Sequence, residues 1–398
     1  MSNPLAPAPT PGAGLQPPAS RLAWIDNLRT LMIVLVVNMH ACVTYGHVGS
    51  WYRMEDPEPA MSVKIAFIFW QVHLQAFFMG VLFFLAGFFA HASLQRRGPG
   101  SFLRERGRRL GLPSLFYMLL IHPFMVYVLL GHPHVPDRPG LAVLYRQYLT
   151  SGRVLSGNGP MWFALALLLF CAVLTGVRAW KPAQVPAASR ASSGPSGAAL
   201  LGFGAVLVLT TFLVRLVQPI GTDVLNFQLG FFPQYIAAFI VGVAAGKRGW
   251  LDALAKSRRA RAAGWLGYLG GPVLLAITLG LGGPPPESGP LPYAGGWNVR
   301  AFAYAAWEQF AGLGLALGAL AWFHQRGDFA GRMAKWLSER AFAVYLFHAP
   351  VLVALTPLVR PAAINPFIGA ALLTVVGLGA SFLVADLANR VPGLREIL

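Results

Sequence analysis

Charge is what this sequence has least of. Of 398 residues only 11% are Asp, Glu, Lys or Arg, and only 14 are acidic. A soluble chain of this length would divide into two or three domains with far more charged surface, and so little charge excludes that class. Cysteine is almost absent. Cys42 and Cys171 both fall inside apolar runs and supply no disulfide framework. There is no Walker A loop, no His-Glu-x-x-His and no Cys-x-x-Cys pair. Nucleotide-driven pumping and metal hydrolysis therefore lack support. No cleavable signal peptide is expected either. Residues 1–20 are rich in Pro and Ala and predict a disordered tail, with the first span acting as its own insertion signal.

What is present is apolar. Hydrophobic residues make up 56% of the chain, and the mean hydropathy is +0.57. A bilayer accounts for both, because lipid-facing helices need no polar surface. Runs near 28–46, 62–92, 112–131, 160–178, 198–218, 229–246, 263–282, 299–323, 340–359 and 364–388 predict about ten spans. About 20 residues at about 1.5 Å each cross the hydrocarbon core. The expected fold is an all-α, polytopic transmembrane bundle. One domain occupies 21–390, followed by a short tail at 391–398. Flexible loops are predicted at 181–198 and 283–297, where Pro, Ala, Ser and Gly collect.

The net charge of +17 does not signal nucleic acid, because the basic residues lie scattered between apolar runs. They follow alternate spans instead. Arg96, Arg97, Arg104, Arg106, Arg108 and Arg109 follow the second, Arg178, Lys181 and Arg190 the fourth, and Lys247, Arg248, Lys256, Arg258, Arg259 and Arg261 the sixth. Arg326, Arg332, Lys335 and Arg340 follow the eighth. The positive-inside rule then places the even loops and both termini in the cytoplasm.

Within this apolar frame a few ionisable residues stand out. Arg29 and His40 are eleven residues apart on the first span, which returns them to one helix face, roughly 16 Å apart along the axis. Arg29 alone satisfies topology, but an imidazole at the depth of His40 signals function or an interhelical hydrogen bond. Imidazole suits general-base work near neutral pH. Glu308 lies inside the eighth run and must pair or protonate. It is a candidate to orient a histidine, or a structural partner for another helix. Tyr345 and His348 share a face of the ninth span, and Pro350 frees backbone carbonyls beside them. Arg215 is expected to snorkel outward or line an external cavity. The basic loop at 104–109 is suited to phosphates, although topology alone also explains it. Gly242 and Gly246 predict a close helix contact, and Trp162 an interfacial anchor. His132, His134 and Asp137 on an external loop have the chemistry to bind metal but read more simply as solvated loop residues, so no metal site is expected.

These residues resemble the membrane-bound acyltransferase 3 family over roughly 21–390. Asp26, Arg29 and His40 fit its first-span pattern. The stretch from Phe83 to Phe89 is similar to its Phe-rich run around a Ser-Gly pair, with Ala86 in place of Ser before Gly87. The run from Arg108 to Pro113, the pair Trp162-Phe163, and the Tyr345 to Pro350 segment complete the series. Tyr45, five residues after His40, resembles the periplasmic-glucan succinyltransferase branch, whereas Phe78 replaces a residue that is often basic there.

The resemblance implies an acyl-CoA co-substrate with no tightly bound cofactor, and a carbohydrate or glycan acceptor at the cell (inner or plasma) membrane. It casts His40 and Glu308 as catalytic. Arg29, Arg108, Arg109, Tyr45, Trp162, Tyr345 and His348 become substrate-binding. A proton-coupled secondary transporter or exporter is the competing class, because it also uses buried His and Glu. No inverted repeat supports it. A non-catalytic glycan- or lipid-binding subunit is a third reading. Oligomeric state is left open.

Overall fold

The computed structural model describes residues 22–130, 139–180, 194–281, 291–359, 365–395 and 397. The expectations for residues 1–20, for His132, His134 and Asp137, and for most of both flexible loops fall outside these. Among the described residues there are ten long helices: α1 (Ala23–Gly46), α2 (Met61–Arg97), α3 (Pro99–Leu129), α4 (Gly159–Trp180), α5 (Gly197–Val217), α6 (Leu229–Arg248), α7 (Arg258–Gly280), α8 (Val299–Arg326), α9 (Arg332–Leu355) and α10 (Pro366–Ala388). No β-strand occurs among the described residues. Nine of the ten are long and apolar enough to cross a bilayer. The tenth, α8, has 28 residues. It carries Glu308 and Gln309, both about 1% exposed, and packs on α1, α2, α5 and α7. Its polar groups are thus hidden among neighbouring helices rather than offered to lipid.

The basic segment at 104–109, expected as a loop, is helical. α3 begins at Pro99, and the segment forms its first turns. Proline at the first helical position is pre-set for this, and arginine is a good helix former. Farther along, α3 relaxes into π turns at Gly107–Gly111, Tyr117–Ile121 and Met125–Leu129. Pro113 and Pro123 lie between these turns and can donate no backbone hydrogen bond.

Backbone-close packing joins α2 to α6. A Cβ on Gly242 would lie 2.1 Å from the Phe84 carbonyl oxygen, and one on Gly87 would lie 2.2 Å from that of Phe239. Glycine is required on both sides of this crossing.

Loops gather at two ends. At one, Trp24 N donates to Asp328, Asn27 Nδ2 donates to the Gly327 and Phe329 carbonyls, and His324 approaches Asp252 at 3.9 Å. Arg340 and Arg390 both hold Asp386 there, so the described chain starts and finishes at this end. At the other, Asn158 Nδ2 donates to Leu225 O, Asn226 Nδ2 donates to Gly159 O, and Ile220 N donates to Ala294 O.

Candidate active site

The odd-numbered loops and the helix ends beneath them line an open cavity of about 670 Å³, well inside the range of small-molecule sites. His40, Trp51, Tyr52, Trp162, Tyr235 and Tyr345 are among its walls. α1 brings His40 there near its C-terminal end, and the helix stops at His47, whose backbone turns left-handed (φ 54°). The loop from 47 to 60 then folds back over His40. Its anchors are Gln71 Nε2 to Val48 O (3.2 Å) and Glu55 N to Thr44 O (2.9 Å), and an Arg53–Glu55 ion pair (3.2 Å) ties the loop to itself.

Trp51, carried by this loop, stacks on His40. The ring centroids are 3.7 Å apart and the planes meet at 17°. His348 lies beside them, 5.3 Å from His40 and 6.2 Å from Trp51. His348 Nδ1 is 2.8 Å from the Tyr345 carbonyl. A carbonyl only accepts, so Nδ1 carries the proton and Nε2 holds the lone pair. That Nε2 and His40 Nδ1 are both buried without a hydrogen-bond partner. Tyr345 donates its hydroxyl proton to Pro160 O, fastening α9 to the start of α4. Trp162 stacks on Tyr235 (5.6 Å, 27°), and Gln75 donates to the Tyr235 hydroxyl at 2.8 Å. Tyr52 bonds Tyr117 at 3.2 Å and His122 Nδ1 at 3.0 Å. Burial pushes the Tyr52 phenol up to about 12, so it stays neutral and holds the loop through hydrogen bonds.

Glu308 does not meet His40. Its Oε2 accepts from Arg215 Nη2 at 2.6 Å and from Gln309 Nε2 at 3.0 Å. Arg215 does not snorkel: it is 1% exposed, donates from Nε to Gly230 O at 3.1 Å, and lies near the Phe231 and Tyr304 rings. The pair sits behind Tyr235 and Tyr304, both of which face the cavity. Tyr45 is not among the cavity walls. It packs against α10, where a Cβ on Gly369 would come within 2.4 Å of its ring.

Arg29 lies toward the opposite end of α1, half exposed and 3.6 Å from Asp26. Arg108 and Arg109 are exposed, with Arg109 3.6 Å from Glu105. The arginine that turns inward is Arg106. Its guanidinium lies over Phe102 (5.2 Å), and its Nε is buried without a partner. Sequence reading did not single out Trp51, Tyr52 or Tyr235, and it named Arg106 only as one of the basic residues of its segment. For Arg106 the available signal was helical phase, hidden while the segment was read as a loop.

The acyltransferase domain family matches residues 22–387. The chain belongs to the acyltransferase 3 family. Glucans biosynthesis protein C of Salmonella gallinarum (strain 287/91 / NCTC 13346) is 25% identical over 166 residues, which are 42% of this chain and 41% of that protein. The match thus spans about two fifths of that relative's length. No solved structure matches the chain. With its bundle of long apolar helices, this acyltransferase 3 family member is a multi-pass membrane protein.

Proposed function

We propose that the chain is an integral-membrane O-acyltransferase. It moves an acyl group, acetyl or succinyl, from acyl-CoA to a hydroxyl of a carbohydrate or glycan. The observation that carries this reading is His40: a base in the wall of an aromatic-lined cavity, on the same helix as Arg29 at the other end of the bundle. Aromatic rings offer flat apolar faces to sugar rings, and the name of the glucan-biosynthesis relative points to the same acceptor class. In this reading the cavity faces outward from the cell membrane. The basic end faces the cytoplasm, where Arg29, Arg108 and Arg109 attract the phosphates of CoA.

The acceptor hydroxyl attacks the thioester carbonyl while His40 takes its proton. The carbon–sulfur bond then breaks, the thiolate leaves, and the proton returns to sulfur. The products are an ester and free CoA. Glu308 acts in this scheme only by pairing Arg215 behind the cavity wall. Purified protein in detergent, given isotopically labelled succinyl- or acetyl-CoA and a glucan oligosaccharide, should add one acyl mass to the sugar. Label that never reaches any hydroxyl acceptor, from folded protein, would overturn the assignment. Replacing both Arg108 and Arg109 with Gln should raise the donor KM by about 10-fold at low salt and by much less at high salt. An unchanged KM would remove both from donor binding.

A further inference from the structure

We propose that Trp51 is the positioning residue for His40, its indole face replacing the hydrogen bond that ordinarily orients a catalytic imidazole. The proposal rests on the reading of His40 as a base. A catalytic histidine is usually held by its second ring nitrogen, which bonds a carboxylate or carbonyl. His40 has no such bond: Nδ1 is buried and unpartnered. The carboxylate that sequence offered for this task, Glu308, is held by Arg215 and Gln309. Without a restraint the ring would turn broadly about its second side-chain torsion.

The restraint present is aromatic. Centroid separations of 3.7, 5.3 and 6.2 Å among His40, Trp51 and His348 form a nearly right-angled triangle, and the planes agree within 21°. Trp51 therefore covers a face of His40, and His348 lies at its side. His348 is itself fixed by its bond to Tyr345 O. Trp51 is fixed by its loop, which Tyr52, Val48 and Glu55 tie to α3, α2 and α1 respectively. A loop residue thus sets the angle at which a transmembrane base meets its substrate.

The test compares wild type with Trp51→Phe, Trp51→Leu and Trp51→Ala in detergent, by kcat, by donor and acceptor KM, and by melting temperature. Trp51→Ala should lower kcat about 10- to 100-fold, the scale of a misplaced catalytic group. Donor and acceptor KM should stay within about twofold, because orientation rather than binding is lost. Phe should restore most of kcat. Leu, which fills space without a flat face, should not. Equal activity of the Phe and Leu variants would reduce Trp51 to packing. A large rise in acceptor KM with unchanged kcat would make it a sugar platform; either result overturns the proposal. Carbethoxylation of His40 by diethyl pyrocarbonate, located by peptide mass spectrometry, is independent of turnover. It should accelerate at least several-fold in Trp51→Ala. An unchanged rate overturns the stack as a restraint, whereas faster carbethoxylation in Trp51→Ala, alongside a wild-type protein that never consumes acyl-CoA, would sink the acyltransferase reading and leave the stack standing.

Discussion

Among single residues the largest energetic consequence belongs to Arg215 and Glu308. Both are about 1% exposed, and breaking such a pair from one side leaves an uncompensated charge. That costs about 3–5 kcal/mol, whereas replacing both by apolar groups is often neutral. Arg215→Leu and Glu308→Leu should each lower the melting temperature in detergent sharply. The double variant should recover much of the loss. If the double variant loses the sum of the two singles, the ion pair is not the coupling. Sequence marked both residues but hid that they pair. Glu308 stands out because a carboxylate in an apolar run needs a partner, but Arg215 is 93 residues away and nothing local marks the two as neighbours. His40 stands out by depth alone. Trp51 does not, because an aromatic residue in a short loop is unremarkable until the loop folds back.

For the helices, apolar run length located most spans to within a few residues, since hydropathy and rise per residue are local properties, but it started α3 at 112 and α9 at 340, whereas the helices begin at Pro99 and Arg332. Local signals failed where neighbours decide. The basic stretch ahead of Leu112 reads as a topological loop, yet it continues α3 because Arg106 has Phe102 to cover. The α2–α6 crossing was half legible: Gly242 and Gly246 marked one side, and Gly87 on the other emerges only from the packing. Gly242→Leu would drive a side chain into the Phe84 carbonyl. It should destabilise the fold by at least about 2 kcal/mol, by overpacking, and reduce monodisperse protein recovered from detergent. Gly249→Ala, whose added Cβ would meet nothing within 4 Å, carries only the backbone strain of its positive φ (66°) and should lose much less. Equal losses would refute the close crossing.

Across the whole molecule, two ends of different character follow from alternate loops. One end gathers the cavity, and the other carries Arg29 and the basic turns of α3. Orientation can be tested directly, because Cys42 and Cys171 are both buried. A membrane-impermeant maleimide should label Ser50→Cys on intact cells and Lys256→Cys only after the membrane is opened. The reverse pattern would invert the proposed topology and, with it, the side from which each substrate arrives.

The central claim is that His40 is the base of an acyl transfer, and one comparison tests it most directly. Wild type and His40→Ala, matched for folding by helical content and melting temperature, are given acetyl-CoA or succinyl-CoA with a glucan acceptor, and thiol release is followed. The account predicts release by wild type and a fall of about 10²- to 10⁴-fold in the variant, the usual contribution of a positioned general base. Release that is undiminished in a folded His40→Ala protein would contradict it.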